Sequence, residues 1–195
     1  MRKMGHRVIA PAAVLLALAL ALAPSPAQAQ EDWESMKHES KRMKINETAD
    51  EALEALFAEY PKSRALFESA YGWAVFDNLK LAFGFSGGGG DGVAVVKETG
   101  ERTFMKMGTA GVGLGLGVNK YQVVFLFQDE QTFRSFVDKG WQADAGATAA
   151  AGTESAEVKT GFVNGLAIYQ MTEKGLMANV DIAGTKYWKN DKLNE

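Results

Sequence analysis

At Trp73 the hydrophobic period changes from the helical repeat of about 3.6 residues to the alternation of a strand, so helices must come first and strands after. Before the switch, Ala49, Leu53, Leu56, Phe57 and Tyr60 recur at helical spacing, and Thr48-x-x-Glu51 reads as a capping box that starts their helix. Pro61 suits the first turn of a second, short helix that carries Leu66 and Phe67 inward, and Gly72 ends the helical part. After the switch, Leu81, Phe83 and Phe85 alternate with Ala82 and Gly84. Val93–Val96 is a short apolar strand, and Thr103–Met107 follows a turn at Thr99-Gly100. Tyr121, Val123, Phe125 and Phe127 share one face of a long strand. Asp129 then caps a helix holding Phe133, Phe136 and Val137. Strand character returns over 141–152, 165–172 and 176–188, with no internal repeat of fixed period. The expected class is α+β: amino-terminal helices packed on a curled, mostly antiparallel, barrel-like sheet.

The first 29 residues read as a signal peptide. Arg2, Lys3 and Arg7 precede an apolar run from Val8 to Ala23, and Ala27-Gln28-Ala29 supplies a small-x-small cleavage pattern before Gln30. The run is short for a bilayer span and contains Pro11. The expected location is periplasmic. The chain has no cysteine, so neither disulfides nor a lipoprotein anchor are expected. Removing this segment leaves 18 Lys+Arg against 24 Asp+Glu, a net charge of −6 that disfavours nucleic acid as a partner. The rest divides into a charged amphipathic arm, 30–45, and a globular domain, 46–195.

Two stretches are unusually rich in small residues. Gly111, Gly113, Gly115 and Gly117 fall on one face of an expected strand, and Ala143, Ala145, Ala147, Ala149 and Ala151 on one face of another. Glycine weakens a strand, so four in register need a reason. Close approach of a neighbouring backbone is the preferred one, and a face for an extended apolar ligand is the alternative. Gly87-x-Gly89-x-x-Gly92 matches the dinucleotide fingerprint in letters only, since a strand rather than a helix follows, and it reads as a flexible hairpin connection.

Catalysis has few candidates. His38 is the only histidine after the leader, and thiolate chemistry has no residue to use it. The carboxylate pairs Asp129/Glu130 and Glu154/Glu157 read as solvated surface. No catalytic residue, metal ligand or cofactor is expected. The arm offers more. As a helix rather than a loose segment, it aligns Trp33, Met36, Ser40 and Met43 along one stripe, flanked by Lys37, Lys41 and Lys44. Such cations can snorkel from an apolar face toward lipid headgroups, although Glu31, Asp32, Glu34 and Glu39 balance them.

Several motifs together resemble the SYLF lipid-binding domain family. These are Tyr71-Gly-Trp-Ala-Val-Phe76, Gly84-Phe-Ser-Gly-Gly-Gly-Gly-Asp-Gly92 with Val93, Gly111-Val-Gly-Leu-Gly-Leu-Gly117 and Val123-Val-Phe-Leu-Phe127. Phe133-x-x-Phe136, the Ala/Gly run from Asp144 to Gly152 and Gly175-Leu-Met-Ala178 continue the order. The resemblance covers about Glu47 to Tyr187. It implies a non-enzymatic module that binds membrane lipid. Eukaryotic members use a basic amphipathic amino-terminal segment for phosphoinositides, and some fungal members bind actin filaments. The matching position here is the arm with Trp33, Lys37, Lys41, Arg42 and Lys44. The expected partner is membrane lipid, including anionic phospholipid; the competing class is an envelope structural module that receives a protein partner.

Overall fold

The computed structural model describes residues 26–83, 85–111, 116–143, 161–172, 175–176 and 184–195. The chain divides into two units, Met1–Glu39 and Ser40–Glu195. Helix α1 is Pro26–Glu59 and α2 is Lys62–Ser69. Strands β1 (Gly72–Phe83), β2 (Phe85–Val96), β3 (Arg102–Gly111) and β4 (Leu116–Phe127) follow. Then come α3 (Glu130–Lys139), β5 (Trp141–Gln142), β6 (Leu166–Thr172), β7 (Gly175–Leu176), β8 (Thr185–Lys189) and α4 (Asp191–Asn194). The expected class holds: α+β, with amino-terminal helices on a curled antiparallel half-barrel. The sheet order is β5-β8-β3-β2-β1-β4-β6-β7.

The helix does not begin at Thr48. Residues 26–59 form one continuous helix, with Thr48 inside it. Once a helix is nucleated, each added residue is cheap, so a start signal within a stretch free of Pro and Gly does not interrupt it. The expected leader cleavage point, Ala29/Gln30, falls within its opening turns. From Ile45 onward, Ala49, Ala52, Leu53, Leu56 and Tyr60 form the buried stripe. They pack on one face of the sheet against Trp73, Val75, Val93, Val95, Phe104, Val124, Leu126 and Tyr169. Phe57 joins Leu66 and Phe67 of α2 at the margin of that cluster.

The opposite face holds a second core. Ala74, Phe76, Ala94, Val96, Met105, Met107, Tyr121, Val123, Phe125 and Phe127 meet Phe133, Phe136 and Val137 of α3 there. Tyr121, Val123, Phe125 and Phe127 share a face as their spacing requires. The first half of β1 is therefore buried on both sides.

Asp129 is the cap of α3: its carboxylate accepts from the Thr132 backbone N–H at 2.8 Å. That bond holds its pKa below the ordinary 3.8. A depressed native pKa means the stabilisation is present above the unfolded value and lost as pH falls through the native one. Asp129→Ala should thus lower stability at neutral pH, and its deficit relative to wild type should shrink as the native carboxylate is protonated. Urea unfolding at neutral and strongly acidic pH tests this. A deficit independent of pH would show that the carboxylate charge contributes nothing.

Two glycine stretches depart from expectation. Leu81 to Phe85 is not one strand: Phe83 ends β1, Phe85 begins β2, and the two pair across a hairpin. Gly87–Gly92 is not the connection but the body of β2, in register with Leu81 to Phe76 of β1. At Gly88, Gly90 and Gly92 glycine is required by the neighbouring strand. A Cβ on Gly88 would stand 2.6 Å from the Leu79 carbonyl oxygen, and one on Gly90 or Gly92 would strike the carbonyls of Asp77 or Val75. The local composition of a turn thus arises from close strand approach.

Candidate functional site

The sequence-predicted lipid residues all lie on α1, in different circumstances. Within Met1–Glu39, Trp33 and Met36 are exposed at 55% and 60%. Lys37 Nζ sits 5.2 Å from the Trp33 ring centroid and 3.0 Å from Glu34 Oε1. These residues offer a solvent-facing aromatic, a thioether and a cation within about one helical turn.

Within Ser40–Glu195 the basic residues are more committed. Lys41 Nζ reaches Asp91 Oδ2 of β2 at 2.9 Å. Arg42 Nε donates to the Leu193 carbonyl at 2.9 Å, and Nη2 to that of Glu195 at 3.3 Å. Arg42 therefore fastens the C-terminal turn. Lys44 is exposed, as is Met43 at 58%.

The glycine face separates into two elements. Gly111 ends β3 opposite Ser86, while Gly117 lies in β4 opposite Ala82. The two glycines thus belong to different strands, which are not neighbours in the sheet. Gly113 and Gly115 lie outside the described residues, as do residues 1–25, most of the alanine face and the Glu154/Glu157 pair. A Cβ at Gly117 would meet no atom within 4 Å, so crowding does not explain that glycine.

A surface that no sequence motif announces emerges from the register. The face covered by α1 passes into a charged row, Gln122, Asp77, Asp91, Lys106 and Trp188. Next comes Lys120, Leu79, Gly89, Gly108 and Lys186, and last Val118, Leu81, Gly87 and Ala110. Residues directly opposite across antiparallel strands point to the same side. Beyond the helix, Leu79, Leu81 and Val118 remain 48%, 53% and 67% exposed. Trp188, 43% exposed, leans over Gly108, where a Cβ would lie 3.1 Å from its ring. Lys120 pairs with Asp77 at 3.6 Å. Nothing local distinguishes Leu79 and Leu81 from core residues, yet they lie outside the cluster packed by the helix residues from Ile45 onward.

The other face is different in kind. Asn78, Thr185 and Tyr187 are buried, and Asn78 Oδ1 and Nδ2, Thr185 Oγ1 and Tyr187 Oη find no hydrogen-bond partner among the described residues. Burial pushes the Tyr187 phenol well above its ordinary pKa. On the face packed by α1, burial also raises Tyr169 to about 12, with Tyr60 adding to the shift. Both stay neutral at physiological pH. Among the described residues, no group of three or more His, Cys, Asp or Glu side chains is placed to hold a metal ion.

Residues 108–195 match the family model Ysc84, described as "Las17-binding protein actin regulator". The chain is 46% identical over 154 residues to "Beta cell expansion factor A" of Aeromonas veronii, covering 79% of this chain and 59% of that protein. It is 29% identical over 140 residues to "Protein YSC84" of Saccharomyces cerevisiae, covering 66% of this chain and 30% of that protein. The chain thus spans less than two thirds of either curated relative.

Proposed function

This chain belongs to the SYLF (Ysc84) family, and from that premise we propose that it is an exported, non-catalytic protein that associates with membrane lipid. The observation that carries the reading is the exposed Trp33 and Met36 on a helix, with Lys37 at the ring. An interfacial helix needs this juxtaposition: apolar side chains to enter the headgroup boundary and cations to meet anionic lipid. Export rests on the positive, apolar and small-x-small order of the first 29 residues. No helix among the described residues is long and apolar enough to cross a membrane.

Co-sedimentation with vesicles tests the reading. The full chain without its leader should pellet with phosphatidylglycerol-containing vesicles more than with phosphatidylcholine alone. Lys37→Gln combined with Lys44→Gln should weaken binding by at most about 2 kcal/mol at low salt, and by less as salt screens the surface. Trp33→Ala should weaken it with little salt dependence, because it removes apolar burial. Unchanged binding in both variants would remove the arm from the reading.

A second reading has support in the family model's description, which names a protein partner. In that case the chain is an envelope protein-interaction module. Wild-type protein that ignores every vesicle would favour it.

A further inference from the structure

At the far end of the sheet Leu79, Leu81 and Val118 remain exposed, and the composition there is stratified along the strands. Lys120 and Lys186 stand at opposite ends of the row that contains Leu79. The row of Val118, Leu81, Gly87 and Ala110 lies one strand repeat further out. Two residues of strand advance about 7 Å. Interfacial apolar groups enter a bilayer by about 5–10 Å while cations remain among the headgroups. The spacing between the lysines and the apolar row falls in that range.

Charge complementarity selects the occupant. The whole chain has a formal net charge of −3. On this face Lys106, Lys120 and Lys186 outnumber Asp77 and Asp91. Lys41 and Lys120 neutralise the two aspartates by pairing with them, which leaves Lys106 and Lys186 as the local surplus. A positive apolar end on a negative protein fits an anionic surface with an apolar interior. Trp188, half-exposed at the boundary between charged and apolar rows, has the amphipathic ring that favours that depth.

We propose that Leu79, Leu81, Val118 and Trp188 form a second membrane-contact surface that seats in an anionic phospholipid bilayer, with Lys120 and Lys186 at headgroup level. It rests on the lipid-association reading above but uses different residues from the arm, so the two can fail separately.

The test uses the full chain without its leader and vesicles of phosphatidylcholine with and without phosphatidylglycerol. Leu81→Gln combined with Val118→Gln should lower partitioning about tenfold or more, since two half-exposed apolar side chains no longer leave water. Lys120→Gln combined with Lys186→Gln should give a several-fold loss at low salt that fades at high salt. Brominated phosphatidylcholine should quench wild-type tryptophan emission, and Trp188→Phe should remove part of that quenching. The quenching needs no substitution in the apolar row, so it decides the matter even if the Gln pair folds poorly. Normal binding by the Gln pair, with quenching unaffected by Trp188→Phe, overturns this surface and leaves the arm standing. Failure of wild-type protein to bind any vesicle overturns both. If the Gln pair instead converts a wild-type dimer to monomer with vesicle binding intact, the face joins two copies and the bilayer assignment falls.

Discussion

Phe125→Ala should lower the unfolding free energy by about 3–5 kcal/mol, the range for truncating a buried aromatic. Phe125 is 0% exposed. Its ring centroid lies 5.9 Å from Phe76, 5.1 Å from Phe136, 5.6 Å from Trp141 and 5.1 Å from Tyr187. The contacts to Phe76, Trp141 and Tyr187 are edge-to-face, an arrangement that stabilises beyond the area buried. Four separate elements supply these partners: β1, α3, β5 and β8. Collapse around the missing ring would require all of them to move, so much of the cavity should persist. Phe125→Leu retains most of the volume and should cost less than half as much. Urea unfolding with fluorescence and circular dichroism measures both. A loss below about 1 kcal/mol for the alanine variant would show that this cluster is not closely packed.

Gly90→Val should be as damaging for the opposite reason. There is no room for a side chain, because any Cβ at this position runs into the Asp77 carbonyl group of β1. The obstacle is backbone held in a ladder on both edges, since β1 pairs with β2 and β4. Overpacking of this kind costs about 1–3 kcal/mol and occasionally more. The valine adds two methyl groups to the collision, so the expected result is the upper end of that range or loss of folding. Gly87 and Gly89 are internal controls on the same strand. A Cβ there would approach nothing nearer than the Thr109 carbonyl oxygen at 4.0 Å or that of Met107 at 3.4 Å. Gly87→Ala should be neutral or stabilise by up to about 1 kcal/mol through the unfolded state. Equal losses at Gly87 and Gly90 would mean strand entropy, rather than strand approach, decides the cost.

These two positions mark the reach of local sequence rules. Phe125 belongs to an alternation that depends only on neighbours in sequence, and the cap at Asp129 depends on residues three apart. Gly90 depends on a strand twelve or more residues earlier in register, and its own sequence neighbourhood looks like a turn. Local rules therefore find several strands and α3 but join strands at Leu81–Phe85 and at Gly111–Gly117, misassign the glycine block and divide α1 at Thr48. The arm's exposed Trp33 follows from helical spacing. The engagement of Lys41 by Asp91, and of Arg42 by carbonyls about 150 residues away, does not. The apolar end of the sheet is invisible to such rules for a related reason. Whether Leu79 is core or surface depends on which strand positions the helix residues from Ile45 onward pack against, and no periodicity records that.

The sheet order also imposes a sequence of events in time. Strands β1, β2 and β3 are successive neighbours joined by short turns, so they can associate as soon as they are made. The other side of β1 belongs to β4, which must first pass from the far side of β3. Non-local pairings of this sort form late, because the chain must lose loop entropy before it gains contacts. During that interval the strand that ends up at the centre of the sheet is an open template for another molecule. Its second half carries Asp77, Asn78 and Lys80 where a purely apolar strand would be most adhesive. Charges on an unpaired edge discourage intermolecular pairing. Residues that look like poor choices for a finished core strand thus protect the nascent one.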